Sequence, residues 1–439
     1  MTPIALATAA ATSTEPATAA ALAARSWDWA IFIIVYIGVA IGTLPFTRLN
    51  RSAIALLGAI ALIAAGRLSF PQATDQIDWR TLALLFALML VAANLRVAGF
   101  YDKVIAQIVA HANRPLVLVS SVALAAALFS AIFANDIVCL AFAPVLCQAI
   151  LRAGRDPLPY LITLATASNI GSAATIIGNP QNMLIGQTAH LSFPHFFLAV
   201  SPLVLLCLAL NILIVTLVYR SRLFAPAGRP RIDHDEPPAR FRPWHVAKTL
   251  LIMAALMAVF LFTGVPREVA ALVAAALVLI SRTQDPRKLF ALVDWELILL
   301  FIGLFVVIGN VQQHGLLSGF MRGLQRRQFP LYSLFPFTLI TAALSNIVSN
   351  VPAVLLLKPG LPLPASPADP ITHTWYLLAV ASTFAGNLTL LGSIANLIVA
   401  EQAKKKGVLV SFADYLKAGI PLTLATLALT IAWFWFLGT

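Results

Sequence analysis

Hydrophobic residues gather into long runs along this chain, and polar residues are largely confined to the gaps between them. The plainest runs are 30–46, 81–98, 197–219, 250–263 with its flanks, and 415–437. Each approaches the roughly 20 residues that a helix needs to cross a bilayer. The pattern predicts about five crossings in each half. They are 29–46, 52–66, 79–98, 158–190 and 196–219, then 248–264, 268–282, 295–314, 373–400 and 415–437. Two of these, 158–190 and 373–400, carry Gly, Asn and Ser in mid-run and are expected as broken helices. Two further stretches, 115–152 and 331–358, are apolar but interrupted in the middle by polar residues. Each is expected as a re-entrant hairpin that enters and leaves on one side. A path of about twelve plain spans without hairpins is the rival drawing.

The polar landmarks recur. Asp78-Trp79 opens DWRTLALLFALMLVAANLRVAGF, and 216 residues later Asp294-Trp295 opens DWELILLFIGLFVVIGNVQQHGL. The same offset carries Asn94 onto Asn310 and Gly99 onto Gly315. Asn135 and Pro144 match Asn350 and Pro359 at offset 215, and Thr175, Gly178 and Asn182 match Thr389, Gly392 and Asn396 at offset 214. Coincidence at Asp, Trp, Asn and Gly is far less probable than at Leu or Val, so the chain is duplicated. An odd number of crossings per half inverts one half relative to the other, a pattern of secondary transporters. The expected organisation is a disordered tail (1–28), a first inverted repeat (29–219), a linker (220–247) and a second inverted repeat (248–439). The linker holds Arg220, Arg222, Arg229, Arg231, Arg240 and Arg242 among prolines, a charge that places it in the cytoplasm.

Composition narrows the classes further. The 439 residues are 60% hydrophobic and 10% charged, with mean hydropathy +0.90, whereas a soluble domain carries about 25% charged residues. The fold class is therefore an all-α polytopic membrane protein, expected in a bacterial inner membrane with lipid as its solvent. The net charge of +12 does not signal nucleic acid, because the basic residues lie in gaps between apolar runs. Of 29 Lys and Arg, the drawing puts 21 on the linker side and 8 opposite, with Arg322, Arg326 and Arg327 the awkward group. The tail has no Lys or Arg before Arg25 and so lacks the n-region of a signal peptide. Cys139, Cys147 and Cys207 all lie in apolar runs without metal-type spacing and read as buried thiols. No nucleophile with its base and no phosphate loop is visible, so catalysis is disfavoured and no cofactor is expected beyond bound sodium.

Candidate chemistry concentrates at the interruptions. They are Phe133-Ala134-Asn135-Asp136; Ser345-Asn346 with Ser349-Asn350-Val351-Pro352; Ser168 to Ser172 with Gly178-Asn179-Pro180-Gln181-Asn182; and Gly386-Asn387-Leu388-Thr389 with Gly392-Ser393 and Asn396. In hydrocarbon, unwound backbone survives only where protein or water covers it. Freed carbonyls with Asn and Ser oxygens can replace a sodium ion's water shell, and exposed helix N-termini attract an anion. Asp136 is the only acidic residue between Asp102 and Asp156, and a carboxylate inside an apolar run points to an ion or proton site. The plainer alternative is a hairpin tip in the headgroups with Asp136 capping the next helix. For Asn169, Asn182, Asn387 and Asn396 the alternative is interhelical hydrogen bonding. Asp78 and Asp294 read as helix caps beside interfacial Trp.

The motifs SNIGSAATIIGNPQNMLIG (168–186), FANDIVCLAFAPV (133–145), SNVPAVLLL (349–357) and GNLTLLGSIANLIVAE (386–401) resemble the ion transporter superfamily. That grouping spans arsenite-efflux permeases, sodium/proton antiporters, citrate and dicarboxylate symporters, and plant silicon-efflux proteins. The resemblance implies an elevator-type homodimer whose transport subdomain carries the hairpins and broken helices. The dicarboxylate branch has Ser-Asn-Thr at each tip. Here the tips read Ala134-Asn135-Asp136 and Ser349-Asn350-Val351, closer to the arsenite and silicon-efflux branches. The reading is a proton- or sodium-coupled transporter of a small oxyanion or its neutral oxyacid. Its expected site is Asn135, Asp136, Asn169, Gly178, Asn179, Asn182, Ser349, Asn350, Asn387, Thr389, Gly392 and Asn396, with sodium at Asn135, Asp136, Ser349 and Asn350. A sodium/proton antiporter is the alternative.

Overall fold

The computed structural model describes residues 19–42, 49–110, 113–228, 241–281, 285–314, 333–367 and 369–438. The Arg322, Arg326 and Arg327 group lies outside them, as do Gly315 and the first part of the expected tail. The first half comprises α1 (Ala19–Ile41), α2 (Arg51–Ala64), α3 (Phe70–Asp75), α4 (Trp79–Val97), α5 (Phe100–Val109), α6 (Pro115–Ile132), α7 (Asn135–Arg152), α8 (Leu158–Ser172), α9 (Pro180–Thr188) and α10 (Phe193–Val218). A short α11 (Arg220–Leu223) opens the linker. The second half comprises α12 (Pro243–Phe262), α13 (Arg267–Leu279), α14 (Pro286–Phe290), α15 (Trp295–Gln313), α16 (Leu334–Val348), α17 (Asn350–Leu357), α18 (Pro370–Ala385), α19 (Ile394–Lys405) and α20 (Phe412–Phe436). No strand occurs among the described residues.

Among the described residues, seven helices are long and apolar enough to cross a membrane: α4, α6, α7, α10, α12, α15 and α20. Their outward faces are oily, as at Leu198, Leu205, Leu213 and Leu217 on α10, which suits lipid and not water.

Several expected boundaries move, each for a local reason. Helix α1 starts at Ala19, inside the segment expected as a tail, because its Ala-rich start favours helix. Helix α12 starts at Pro243 and not at 248, since proline's fixed φ suits the first helical position. Helix α16 runs unbroken through Ser345 and Asn346, and α8 runs through Ser168 and Asn169. The breaks are narrower than expected: residues 133–134, 173–179, 349 and 386–393. Ser and Asn are poor helix formers, but tertiary packing overrides that preference. Helices α2 and α13 have 14 and 13 residues, about 20 Å at 1.5 Å per residue, short of a full span.

Matched positions share local geometry. Asp78 and Asp294 cap α4 and α15 with φ,ψ of −78°,83° and −79°,84°. Ser69 and Asp285, 216 residues apart, cap the short α3 and α14 ahead of them. Packing partners are exchanged between the halves: α4 packs on α13, and α15 on α2. Asn94 of α4 accepts a bond from Thr249 of α12 at 3.0 Å, while Asn310 of α15 donates to Asp28 of α1 at 3.0 Å.

Contacts between helix ends fix directions. At the linker end, Arg222 pairs with Asp156 before α8, Arg242 N–H donates to the Ala98 carbonyl after α4, and Lys248 reaches the Ile280 carbonyl after α13. Asn50 before α2 donates to Glu296 at the start of α15. At the opposite end, Arg80 meets Glu268, Arg267 donates to the Leu191 carbonyl, and Lys358 donates to Thr188. Thus α4 runs toward the linker end while α15 runs away from it. The α6–α7 hairpin opens toward the linker end and the α16–α17 hairpin toward the other. Helices α6 and α7 are long enough to be spans, yet their junction is interior: Phe133 and Ala134 are buried, and Asn135 N–H donates to the Gly178 carbonyl at 3.0 Å.

A buried ion pair pins α1. Arg67 makes a two-pronged contact with Asp28 at 3.0 and 2.8 Å, and the Asp28 side chain is wholly buried. Removing one partner of such a pair leaves an uncompensated charge and costs about 3–5 kcal/mol. Asp28→Ala is expected to lower the thermal midpoint of the detergent-solubilised protein sharply. The double variant Asp28→Leu/Arg67→Leu is expected to regain most of it; equal loss in both would contradict this account.

Candidate functional site

Each broken segment is held open by one asparagine. The Asn182 amide donates to the carbonyls of Thr175 (2.9 Å) and Ser172 (3.5 Å). Asn396, its match in the second half, donates to Thr389 (3.1 Å) and Gly386 (2.8 Å), which are the matching carbonyls. Both span from the first turn of the following helix back across the unwound loop. Buried carbonyls freed by unwinding require a partner, and these amides supply it. Gly178 has no room for a side chain: a Cβ there would lie 2.2 Å from the Ser172 carbonyl oxygen. Asn179 caps α9 by accepting from Asn182 N–H at 2.8 Å and donates to Ser172 at 2.9 Å.

The two breaks meet at Asn169 on α8. Its side-chain oxygen accepts from Asn135 Nδ2 (2.8 Å) and Ser393 Oγ (3.1 Å). Its Nδ2 donates to Asn387 (2.9 Å) and Asn396 (3.0 Å). That fills all four hydrogen-bonding sites of one amide. Asn350 sits over the second break, and with its amide nitrogen turned inward it donates to the carbonyls of Ser382 (2.9 Å) and Gly392 (3.2 Å). Thr389 Oγ1 reaches Asn346 at 3.5 Å.

Above this network lies a cavity with about 20 Å³ open to a water-sized occupant, lined by Asn135, Asp136, Pro180, Gln181, Leu297, Ser349, Asn350, Val351, Ser393 and Ile394. That is room for about one water molecule. Four helices, α7, α9, α17 and α19, present their N-termini to it. Each brings the positive end of its dipole, although Asn135 N–H and Asn182 N–H already donate within the protein, to the Gly178 carbonyl and the Asn179 side chain. Ser349 holds φ 75° and ψ 163°, a strained conformation for a residue with a side chain. Its counterpart Ala134 lies at −55° and 136°, so the two tips are shaped differently.

The expected site residues therefore divide. Asn135, Asp136, Ser349 and Asn350 line the cavity together. Asn169, Asn182, Asn387 and Asn396 lie beneath it as the network that shapes it, and Gly178, Asn179, Thr389 and Gly392 form the breaks. Gln181, Ser393 and Leu297 also line the cavity and were absent from the expected set. Ser393 could have been found, since it stands where Asn179 caps the other half; Leu297 carries no polar signal. Thr383, which receives Asn179 and Gln181 at 3.3 and 3.0 Å, is likewise visible only in three dimensions. Among the described residues no three His, Cys, Asp or Glu are grouped to hold a metal.

Residues 29–385 match the citrate transporter family, CitMHS. The chain belongs to this family. As a CitMHS protein it is an integral membrane transporter, and its curated relatives span nearly their full length. It is 28% identical to the silicon efflux transporter LSI3 of Oryza sativa subsp. japonica over 89% of this chain and 93% of the relative. It is 28% identical to the 46 kDa membrane protein of Mycobacterium leprae over 92% and 97%, and 24% identical to the putative transporter arsB of Dictyostelium discoideum over 87% of each. The solved structure of the YdaH transporter of Alcanivorax borkumensis aligns at TM-score 0.48 and 16% identity, covering 95% of this chain and 98% of that one.

The matched clasps of this CitMHS chain should be energetically alike. Asn182→Leu and Asn396→Leu are each expected to lower the thermal midpoint by the equivalent of about 2 kcal/mol, the cost of leaving a buried carbonyl unpaired. An unchanged midpoint for either variant contradicts the clasp.

Proposed function

We propose that this protein is a cation-coupled secondary transporter of a small oxyanion or its neutral oxyacid, taken up between the two hairpin tips when they part to enlarge a cavity that here has room for about one water molecule. The observation that carries the reading is the convergence of four helix N-termini on that one cavity. Converging N–H groups and dipole ends favour oxygen-rich, electron-dense solutes. Among its described lining residues there is no Lys or Arg, which suits a weakly charged or protonated oxyacid better than a multiply charged anion. The silicon efflux name of one relative points the same way.

The cation is assigned to Asp136, with Asn135, Ser349 and Asn350 beside it as neutral oxygen donors suited to sodium. Asp136 is 6% exposed, and no hydrogen bond or ion pair holds its carboxylate among the described residues. A carboxylate left unpaired in a buried cavity requires a proton or a cation. The opposed directions of matched helices support two inverted repeats, and the hairpins with α8, α9, α18 and α19 form the moving unit of an elevator, in a homodimer. The arginine-rich linker is assigned to the cytoplasm of a bacterial inner membrane. The same free carboxylate favours sodium/proton exchange as the second reading.

Purified protein in proteoliposomes decides between them. Uptake of arsenite, silicate, citrate, succinate and phosphate would be followed under separate sodium and pH gradients. Gradient-driven accumulation of one compound is expected, and Asp136→Asn is expected to abolish it while the protein still folds and inserts. Sodium-driven proton movement with no accumulation would establish the antiporter instead. Normal transport by Asp136→Asn would remove Asp136 from the mechanism.

A further inference from the structure

Asp136 faces two spaces, not one. Beyond the cavity between the tips lies a second small chamber, again with about 20 Å³ open to a water-sized occupant, walled by Met89, Ala93 and Arg96 of α4, Tyr101 of α5, and Ala134, Asp136 and Leu140 at the first tip, and closed by Leu292, Asp294 and Leu297 around the start of α15. Leu297 is shared by the two spaces. Asp294 and Leu140 are shared with an open cleft of about 530 Å³ that also includes Arg51, Glu296, Glu401 and Lys405. The chamber therefore joins Asp136 to the linker end of the molecule.

Its charges do not cancel. Asp136 and Asp294 line it with Arg96, whose charge also acts on Asp102 of α5, so carboxylates outnumber the cation. Tyr101 is 1% exposed, and its hydroxyl has no hydrogen-bond partner although the residue borders the chamber. Asp294 differs from its match in a telling way. Asp78 uses both carboxylate oxygens on Thr81, accepting from the backbone N–H at 3.1 Å and the hydroxyl at 2.8 Å. The second half has Leu297 in that place, so Asp294 accepts only the Leu297 N–H, at 3.0 Å, and its other oxygen is free. The second tip also lacks the acid, with Val351 where the first has Asp136.

We propose that this chamber is a cation site, in which Asp136 and Asp294, with the Tyr101 hydroxyl, hold one monovalent cation that enters from the linker end. The inference rests on Asp136 being the coupling carboxylate and adds Asp294 and Tyr101 from helices outside the hairpins. A bound monovalent cation offsets the excess of carboxylates over Arg96 around the chamber. Titratable groups beside the chamber are Asp136, Asp294, Arg96 and Tyr101, with Asp102 on α5 and Cys139 on α7 nearby. The duplication thus supplies two similar caps, and the exchange of threonine for leucine turns one of them into a ligand.

The test needs no substrate. Full-length protein in detergent would be titrated with NaCl against choline chloride at constant ionic strength, and separately with acid in sodium-free buffer. The readouts are thermal midpoint and, in weak buffer with a pH dye, proton release on sodium addition. The wild type is expected to show a saturable response to sodium, to protons, or to both in competition. Asp136→Asn should abolish it. Asp294→Asn and Leu297→Thr, which gives Asp294 the second partner that Asp78 has, should each weaken apparent affinity roughly tenfold or more. Asp78→Asn should leave the affinity unchanged. If Asp136→Asn loses the response while both Asp294→Asn and Leu297→Thr keep wild-type affinity, the chamber is wrong and the coupling role of Asp136 stands. If the wild type responds and Asp136→Asn responds equally, or the wild type responds to neither ion, both ideas fall.

Discussion

A polar group buried in hydrocarbon must find its partner within the protein, and at Asn169 that requirement joins the two halves. One amide there satisfies the first tip through Asn135, the second break through Asn387 and Asn396, and the cap of α19 through Ser393. A helix unwound in the middle of a membrane protein exposes carbonyls and N–H groups that lipid cannot satisfy. The asparagine clasps take the carbonyls. Four helix starts are left facing the cavity with their positive dipole ends, which is the form in which the strain of breaking helices becomes a binding surface.

A single hairpin and one broken helix would leave their polar ends exposed to lipid. Here the matched segments of the other half cover them, and the exchanged packing of α4 on α13 and α15 on α2 ties the halves together. Symmetry then makes its departures informative. Asp136 against Val351, strained Ser349 against relaxed Ala134, and Leu297 against Thr81 all fall around the cavities. Charge placement is where the halves diverge, and charge placement is what a directional coupling device requires.

Much of this was legible in the residues. Apolar run length declared the membrane, because lipid tolerates few charges, and Asp, Trp, Asn and Gly recur at offsets near 215. Asn135, Asp136, Ser349 and Asn350 were marked as a group because a polar island in an apolar run has few explanations, and they do line one cavity. Helix limits were less legible. Ser345-Asn346 and Ser168-Asn169 read as breaks from propensity, yet both are helical, since the two asparagines find partners on neighbouring segments, Asn346 at the Ala385 carbonyl and Asn169 at Asn135.

What the sequence determined by itself was the solvent, the repeat and the kinds of residue at the centre, all of which depend on pattern and spacing along one chain. Tertiary structure decided which asparagines line the cavity and which only shape it, because an amide's role depends on whether its partners are already taken. It also decided that Asp294, a helix cap by every local sign, has an oxygen to spare beside Asp136. That pairing joins residues far apart in sequence through a leucine that carries no polar signal, and only packing could bring them together.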